Sequence, residues 1–112
     1  MKAPTMLNEA VAQYANLIPE TGYTISNPTI TKIGRLCFIS TAVSFTSKTL
    51  NATYVATFPD GFKPSSAYPT PALTTSGGFA KGRCNLNANG IQTYTDGAAT
   101  WINVSGFYIA AS

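Results

Sequence analysis

The sequence predicts a small all-β domain, an antiparallel β-barrel or sandwich of jelly-roll-like kind preceded by one short N-terminal helix. Three observations carry that expectation. Beyond Gly22 the chain is crowded with Thr, Ile, Val, Tyr and Phe, fifteen of its sixteen threonines lying past Thr5, and such residues favour a pleated, half-buried surface. Turn residues punctuate this region at short, regular intervals. Finally, the longest predicted strand carries apolar groups on both of its faces, where a sheet wetted on one side would show a polar face.

Element by element, residues 5–18 read as the helix. Leu7, Val11, Tyr14 and Ile18 fall on one apolar seam at spacings of four, three and four, and Ala10 and Leu17 widen it. Thr5 is placed to cap its start and Pro19 to stop it. So short a helix does not stand alone in water; it packs on the β domain, or three copies meet as a neck. The expected boundary separates a helical neck at 1–21 from a head at 22–112. Strands are expected at 29–33, 35–46, 51–58, 71–75, 79–87, 91–95, 100–105 and 107–110. Turns fall at Ile33-Gly34, Pro59-Asp60-Gly61, Gly77-Gly78, Asn89-Gly90, Asp96-Gly97 and Gly106. Asn89-Gly90 is the most specific of them, because both residues tolerate the positive φ of a type I′ hairpin. Such spacing means a sandwich or barrel, not alternating β and α.

Along residues 36–45, Cys37, Ile39, Val43 and Phe45 point one way, and Leu36, Phe38 and Ala42 the other. Near the end of the chain Phe107 and Ile109 oppose Tyr108. A small barrel with surplus apolar faces is more comfortable as an oligomer. Between Phe58 and Pro71 the prolines deny ladder donors, and Phe58, Phe62 and Tyr68 are expected to pin this loop to the body.

Composition bounds the function. The 112 residues make one domain, burying about 65% of its unfolded surface. Charged residues are 10% of the chain and its net charge is +3. The seven cations are scattered, apart from the loose pairs Lys32/Arg35 and Lys81/Arg83, which does not describe a phosphate-binding face. No apolar run approaches membrane-spanning length, and the N-terminus lacks the apolar region of a secretion signal. Neither nucleic acid nor membrane is therefore an expected partner. Histidine is absent, which removes His-based triads, His-ligated metals and His proton shuttles. No metal, cofactor or catalytic residue is expected. Cys37 and Cys84 lack CxxC spacing; they are two buried thiols or a disulfide, and their separation decides.

Several motifs carry a family likeness. Phe58-Pro59-Asp60-Gly61-Phe62-Lys63-Pro64 resembles the "LPxGYRP"-like loop in the C-terminal domains of phage tail-fibre and baseplate proteins. Lys32-Ile33-Gly34-Arg35-Leu36-Cys37-Phe38-Ile39 resembles the strand that follows a "KxG" turn in those domains. Cys84 to Ile91, with Asn89-Gly90, resembles their hairpin, and Gly106-Phe107-Tyr108-Ile109-Ala110 their closing aromatic strand. The likeness covers residues 22–112. It implies the head of a trimeric receptor-binding protein, like those of siphophages of Gram-positive bacteria. It also implies a place on the virion tail tip or baseplate after synthesis in the bacterial cytoplasm. The implied partners are host cell-wall polysaccharide, two further copies of the chain, and other tail or baseplate proteins, met through residues 4–18 as the end of a neck.

Saccharide recognition needs an aromatic face against sugar C–H groups and planar polar groups around the hydroxyls. Trp101, the one tryptophan, shares a strand face with Asn103, and Tyr94 shares one with Gln92 and Asp96. The 95–100 loop would bring Tyr94, Asp96 and Trp101 to one hairpin end, with Arg83 in the preceding strand. These six are the candidate saccharide-binding residues. Each also has an ordinary structural reading: Trp101 as a core or subunit-seam residue, Asp96 as a turn residue, Arg83 as a cover for an aromatic. Three other functions compete with a non-enzymatic saccharide-binding head. One is a structural or protein-binding virion domain. Another is a glycan-cleaving enzyme, for which Asp60 and Asp96 are the least unsuitable carboxylate pair. The last is a cytokine-like jelly-roll trimer, which rests on architecture alone.

Overall fold

Residue alternation, not helical periodicity, governs the chain from its first described residues. The computed structural model describes residues 11–65, 72–75 and 82–111. They form ten strands and, among the described residues, no helix: β1 (Gln13–Asn16), β2 (Ile18–Pro19), β3 (Thr24–Ser26), β4 (Thr29–Ile33), β5 (Leu36–Lys48), β6 (Thr53–Thr57), β7 (Ala72–Thr75), β8 (Gly82–Asn87), β9 (Gly90–Thr95) and β10 (Ala99–Ile109). One sheet has the order β1-β4-β5-β10-β7, with β3 also paired to β5; the other has the order β2-β6-β9-β8. Every pairing is antiparallel. The result is a small β-sandwich whose core lies between the two inner faces.

The pleat explains which side chains fill it. Cys37, Ile39 and Val43 of β5 and Ile102, Val104 and Tyr108 of β10 are buried from one sheet. Val55, Cys84, Leu86 and Ile91 meet them from the other. The expected division of faces on β5 and β10 holds. The two predicted C-terminal strands are a single one, because Gly106 pairs with Ile39 without a break.

The helix expected over residues 5–18 is not formed where the chain is described; residues 5–10 lie outside the described residues. Gln13–Asn16 pairs with Thr29–Lys32, and Ile18–Pro19 with Ala56–Thr57. Most of the supposed apolar seam faces solvent: Val11, Tyr14 and Ile18 are exposed, while Leu17, expected to widen that seam, is the member that is buried. The Leu17 amide donates to the Pro28 carbonyl at 2.8 Å. A weak helical preference yields here to two sheet edges that satisfy the backbone. The segment from Gln13 is thus woven into both sheets and is not a separate neck.

Turns follow residue chemistry. Gly34 (φ 63°) takes the first central position of the two-residue β4–β5 loop, as a type II′ turn requires. In the Pro59–Phe62 turn the Phe62 amide donates to the Pro59 carbonyl at 3.1 Å, with Gly61 at φ 85°, which is type II. Phe58 and Phe62 do pin this loop to the core; Tyr68 lies outside the described residues. The Tyr108 hydroxyl donates to the Phe62 carbonyl at 2.7 Å, and the buried Lys32 ammonium donates to the Gly61 carbonyl. Asn89-Gly90 does not form the type I′ turn expected of it. Asn87 pairs with Gly90, so the loop residues are Ala88 and Asn89, neither at positive φ. The Asn87 carboxamide oxygen accepts from the Asn89 amide at 2.8 Å, and that Asx-type bond sets the turn one residue earlier.

Tyr23 is the exception to a satisfied core. Its ring is buried, tilted against Phe45 and covered by the Lys48 ammonium, yet its hydroxyl finds no partner among the described residues. An unpaired buried hydroxyl costs about 1–3 kcal/mol. Tyr23→Phe is therefore expected to raise stability by about 1 kcal/mol in urea denaturation, and a loss of stability would show that the hydroxyl is bonded in solution.

Candidate functional site

The six candidate residues do not converge. The reason is the route of the chain between β9 and β10. β9 pairs with β6 and β8, whereas β10 pairs with β5 and β7. The expected 95–100 hairpin is thus a crossing from one sheet to the other, and the candidates divide between opposite outer faces of the sandwich. Stacked sheets lie about 10 Å apart with a packed core between them, so no single sugar ring spans both groups.

Arg83, Gln92 and Tyr94 are on the outer face of the smaller sheet, with Asp96 just beyond the end of β9. Arg83 pairs with Tyr94 across β8 and β9, and its guanidinium carbon lies 3.9 Å from the Tyr94 ring centroid. That cation–π contact covers one face of the aromatic that a sugar would use. Gln92 lies one outward position along, between Asn85 and Tyr54. A hollow of about 300 Å³ is lined by Gly82, Arg83, Tyr94, Thr95 and Asp96. Toward the other end of the β8–β9 ladder the Tyr54 hydroxyl and the Asn87 carboxamide are in hydrogen-bond contact.

Trp101 and Asn103 are on the outer face of the larger sheet. An irregularity in the β5–β10 register between Ala99 and Trp101 turns the indole outward, although Ala99, two residues earlier, is buried. Trp101 is 39% exposed. With Asn103, Ser26, Ala42, Val43 and Ser44 it lines a hollow of about 280 Å³. Neither Ser26 nor Ser44 is among the residues expected from sequence; their places follow from β3 and β10 flanking β5 on its two sides.

The far end of the same outer face is apolar. Cross-strand register sets Tyr14, Thr31, Phe38 and Phe107 in one row and Ile33, Leu36 and Ile109 in the next. Phe107 is 55% exposed, and Phe38, Ile33 and Ile109 are each more than two-fifths exposed. The Phe38 and Phe107 ring centroids are 6.5 Å apart.

Asp60 lies in the loop beside Ala110, paired with Lys63 at 3.4 Å, whereas Asp96 lies by the opposite end of β10. The length of β10 separates them by roughly 30 Å, far beyond the roughly 5–9.5 Å that glycosidase carboxylates need. The loose Lys32/Arg35 pair also divides: Lys32 turns inward, and Arg35 donates through Nε to the Ala110 carbonyl at 2.9 Å. Cys37 and Cys84 are both buried and are not joined in a disulfide. Burial raises the Cys37 thiol and the Tyr108 phenol, and pushes the Cys84 thiol up to about 12. Because folding holds the Cys84 proton more tightly, its contribution to stability is intact below about pH 9 and is lost as pH rises toward 12. The loss from Cys84 alone is about 2 kcal/mol by roughly pH 10.5. Cys84→Ala should cost about 1–2 kcal/mol at neutral pH and flatten the decline above pH 9. An unchanged slope in chemical denaturation across that range would remove Cys84 as its cause.

Compared with known proteins, the chain matches no family model, no curated protein and no solved structure.

Proposed function

We propose that the chain is the head domain of a phage tail-fibre or baseplate receptor-binding protein, non-enzymatic, which binds host cell-surface saccharides during adsorption. The observation that carries this reading is the Trp101 hollow: a part-exposed indole beside a carboxamide and two serine hydroxyls, with no charged residue in its lining among the described residues. An aromatic with neighbouring amide and hydroxyl groups is the chemistry of sugar recognition. Its position supports the same reading, because the hollow lies at the end of β10 opposite the apolar patch. Three copies meeting through that patch would leave three Trp101 hollows free, and avidity would offset a weak single site. The motifs around Phe58–Pro64 and Cys84–Ile91 supply the phage assignment.

A glycan array probed with the native assembly, followed by titration of hits, tests the proposal. Affinity per site is expected in the millimolar to micromolar range, on the order of 4–8 kcal/mol. Trp101→Ala should weaken it at least tenfold, about 1.4 kcal/mol, at unchanged oligomeric state. If Trp101→Ala instead alters assembly and leaves host adsorption intact at equal trimer content, the domain is a structural or protein-binding part of the tail. Silence across all host-derived glycans would refute saccharide binding outright.

A further inference from the structure

The hollow at Trp101 does not end at Asn103. Asn103 and Ala42 also line a second hollow, of about 390 Å³, with Asn27, Ser40, Thr41, Thr74, Val104 and Ser105. The two are continuous along the outer face of β5 and β10. From Trp101 to Ser105 they span five residues of β10, about 14 Å, which exceeds one pyranose ring. The bend between β3 and β4, where Asn27 takes a left-handed conformation (φ 55°), walls one side, and β7 with Thr74 walls the other.

We propose that this trough binds an uncharged glycan chain along β10, several rings at once, with Trp101 stacking on one ring and the amides and hydroxyls of Asn103, Asn27, Ser40 and Ser105 meeting the next. The inference rests on the saccharide reading of the Trp101 hollow and deepens it. Two observations select a neutral ligand. Among the described residues, no charged side chain lines either hollow. The described cations are also engaged elsewhere: Lys32 faces the core, Arg35 bonds Ala110, Lys48 covers Tyr23, Lys63 pairs with Asp60, and Arg83 stacks on Tyr94. A phosphate or uronate would lose water here without gaining a cation, which disfavours it. In addition, the side chains of Asn27, Ser40, Asn103 and Ser105 make no hydrogen bond to other described residues, which leaves their donors and acceptors open to a ligand.

The test uses the assembled protein and two kinds of probe. The first is neutral linear oligosaccharides, from monosaccharide to hexasaccharide, of glucose, galactose, rhamnose and N-acetylglucosamine. The second is polyglycerol phosphate. Binding is followed by calorimetry and by the NMR signals of the Trp101 indole and the Asn27 and Asn103 carboxamides. In at least one neutral series affinity should climb about tenfold or more with length, independently of salt, and shift all three signals. Ser105→Lys should abolish that climb, while Ala88→Lys, in the β8–β9 turn, leaves it unchanged. A monosaccharide that shifts Trp101 with no gain from longer chains overturns the extended site and leaves the saccharide reading standing. Salt-sensitive binding of polyglycerol phosphate in the trough overturns neutrality. Failure of every neutral probe to bind overturns both.

Discussion

Gly90→Ala is expected to be among the most damaging single substitutions in this protein, costing about 3 kcal/mol or more in urea denaturation. Gly90 opens β9 at φ 134°, where L side chains are rarely found. A Cβ there would lie 2.1 Å from the Ala56 carbonyl oxygen and 3.3 Å from Cδ1 of Tyr54. The first contact is with backbone, so no rotamer change relieves it. β6 would have to move off β9, and Val55, Ala56 and Ile91, all buried, pack at that junction. Large destabilisations arise from such combinations of backbone strain and overpacking. Gly22→Ala is the control. Gly22 also has positive φ, 92°, but a Cβ there meets nothing within 4 Å. It should cost only the conformational penalty, about 1–2 kcal/mol. If the two variants are equally stable, β6 does not approach β9 as closely as the structure has it.

The same glycine shows what sequence reasoning could and could not reach. Asn89-Gly90 signalled the β8–β9 hairpin correctly, but residue preferences alone misplaced the turn by one residue. The deciding bond is the one between the Asn87 side chain and the Asn89 amide. Strand β4 was legible at its observed bounds, because Gly34 and the alternation of Ile30 and Lys32 with Thr29, Thr31 and Ile33 fix it locally. β1 to β3 were not legible. They are two to four residues long, too short for alternation to outweigh an apolar seam of four residues at helical spacing, and their pairing partners lie up to 39 residues away, as for Ile18 and Thr57. The candidate site divided for a related reason. Parity along a strand correctly set Trp101 with Asn103 and Tyr94 with Gln92. Whether consecutive strands pair or pass to the other sheet is decided by core packing across the whole chain, and the 96–98 segment carries no mark of it. The hydroxyls that complete the Trp101 hollow come from β3 and β5, so they became visible only with the register.

Replacing both phenylalanines in Phe38→Ser/Phe107→Ser is expected to convert the proposed trimer to monomers at micromolar concentration, read by sedimentation velocity. The two rings are cross-strand neighbours on the outer face, 42% and 55% exposed, and Ile33 and Ile109 extend the patch in the next row. Burying apolar surface is worth about 25 cal/mol per Å², and a contiguous exposed patch of this kind marks an interaction surface. Because these side chains are turned away from the core, their loss should change the stability of a single subunit by no more than about 1 kcal/mol. That separates assembly from folding. The consequence for binding is equally separable. Trp101 lies about 20 Å along β10 from Phe107, so affinity of one site for a monosaccharide stacked on Trp101 should be unchanged, while apparent affinity for a multivalent cell surface falls by about 10²–10⁴. A wild-type chain that sediments as a monomer in dilute buffer would overturn the proposed trimer. A double variant that remains trimeric would move the seam away from Phe38 and Phe107. A simultaneous loss of monovalent binding would mean that the phenylalanines touch the saccharide, and that the apolar end and the Trp101 trough form one site.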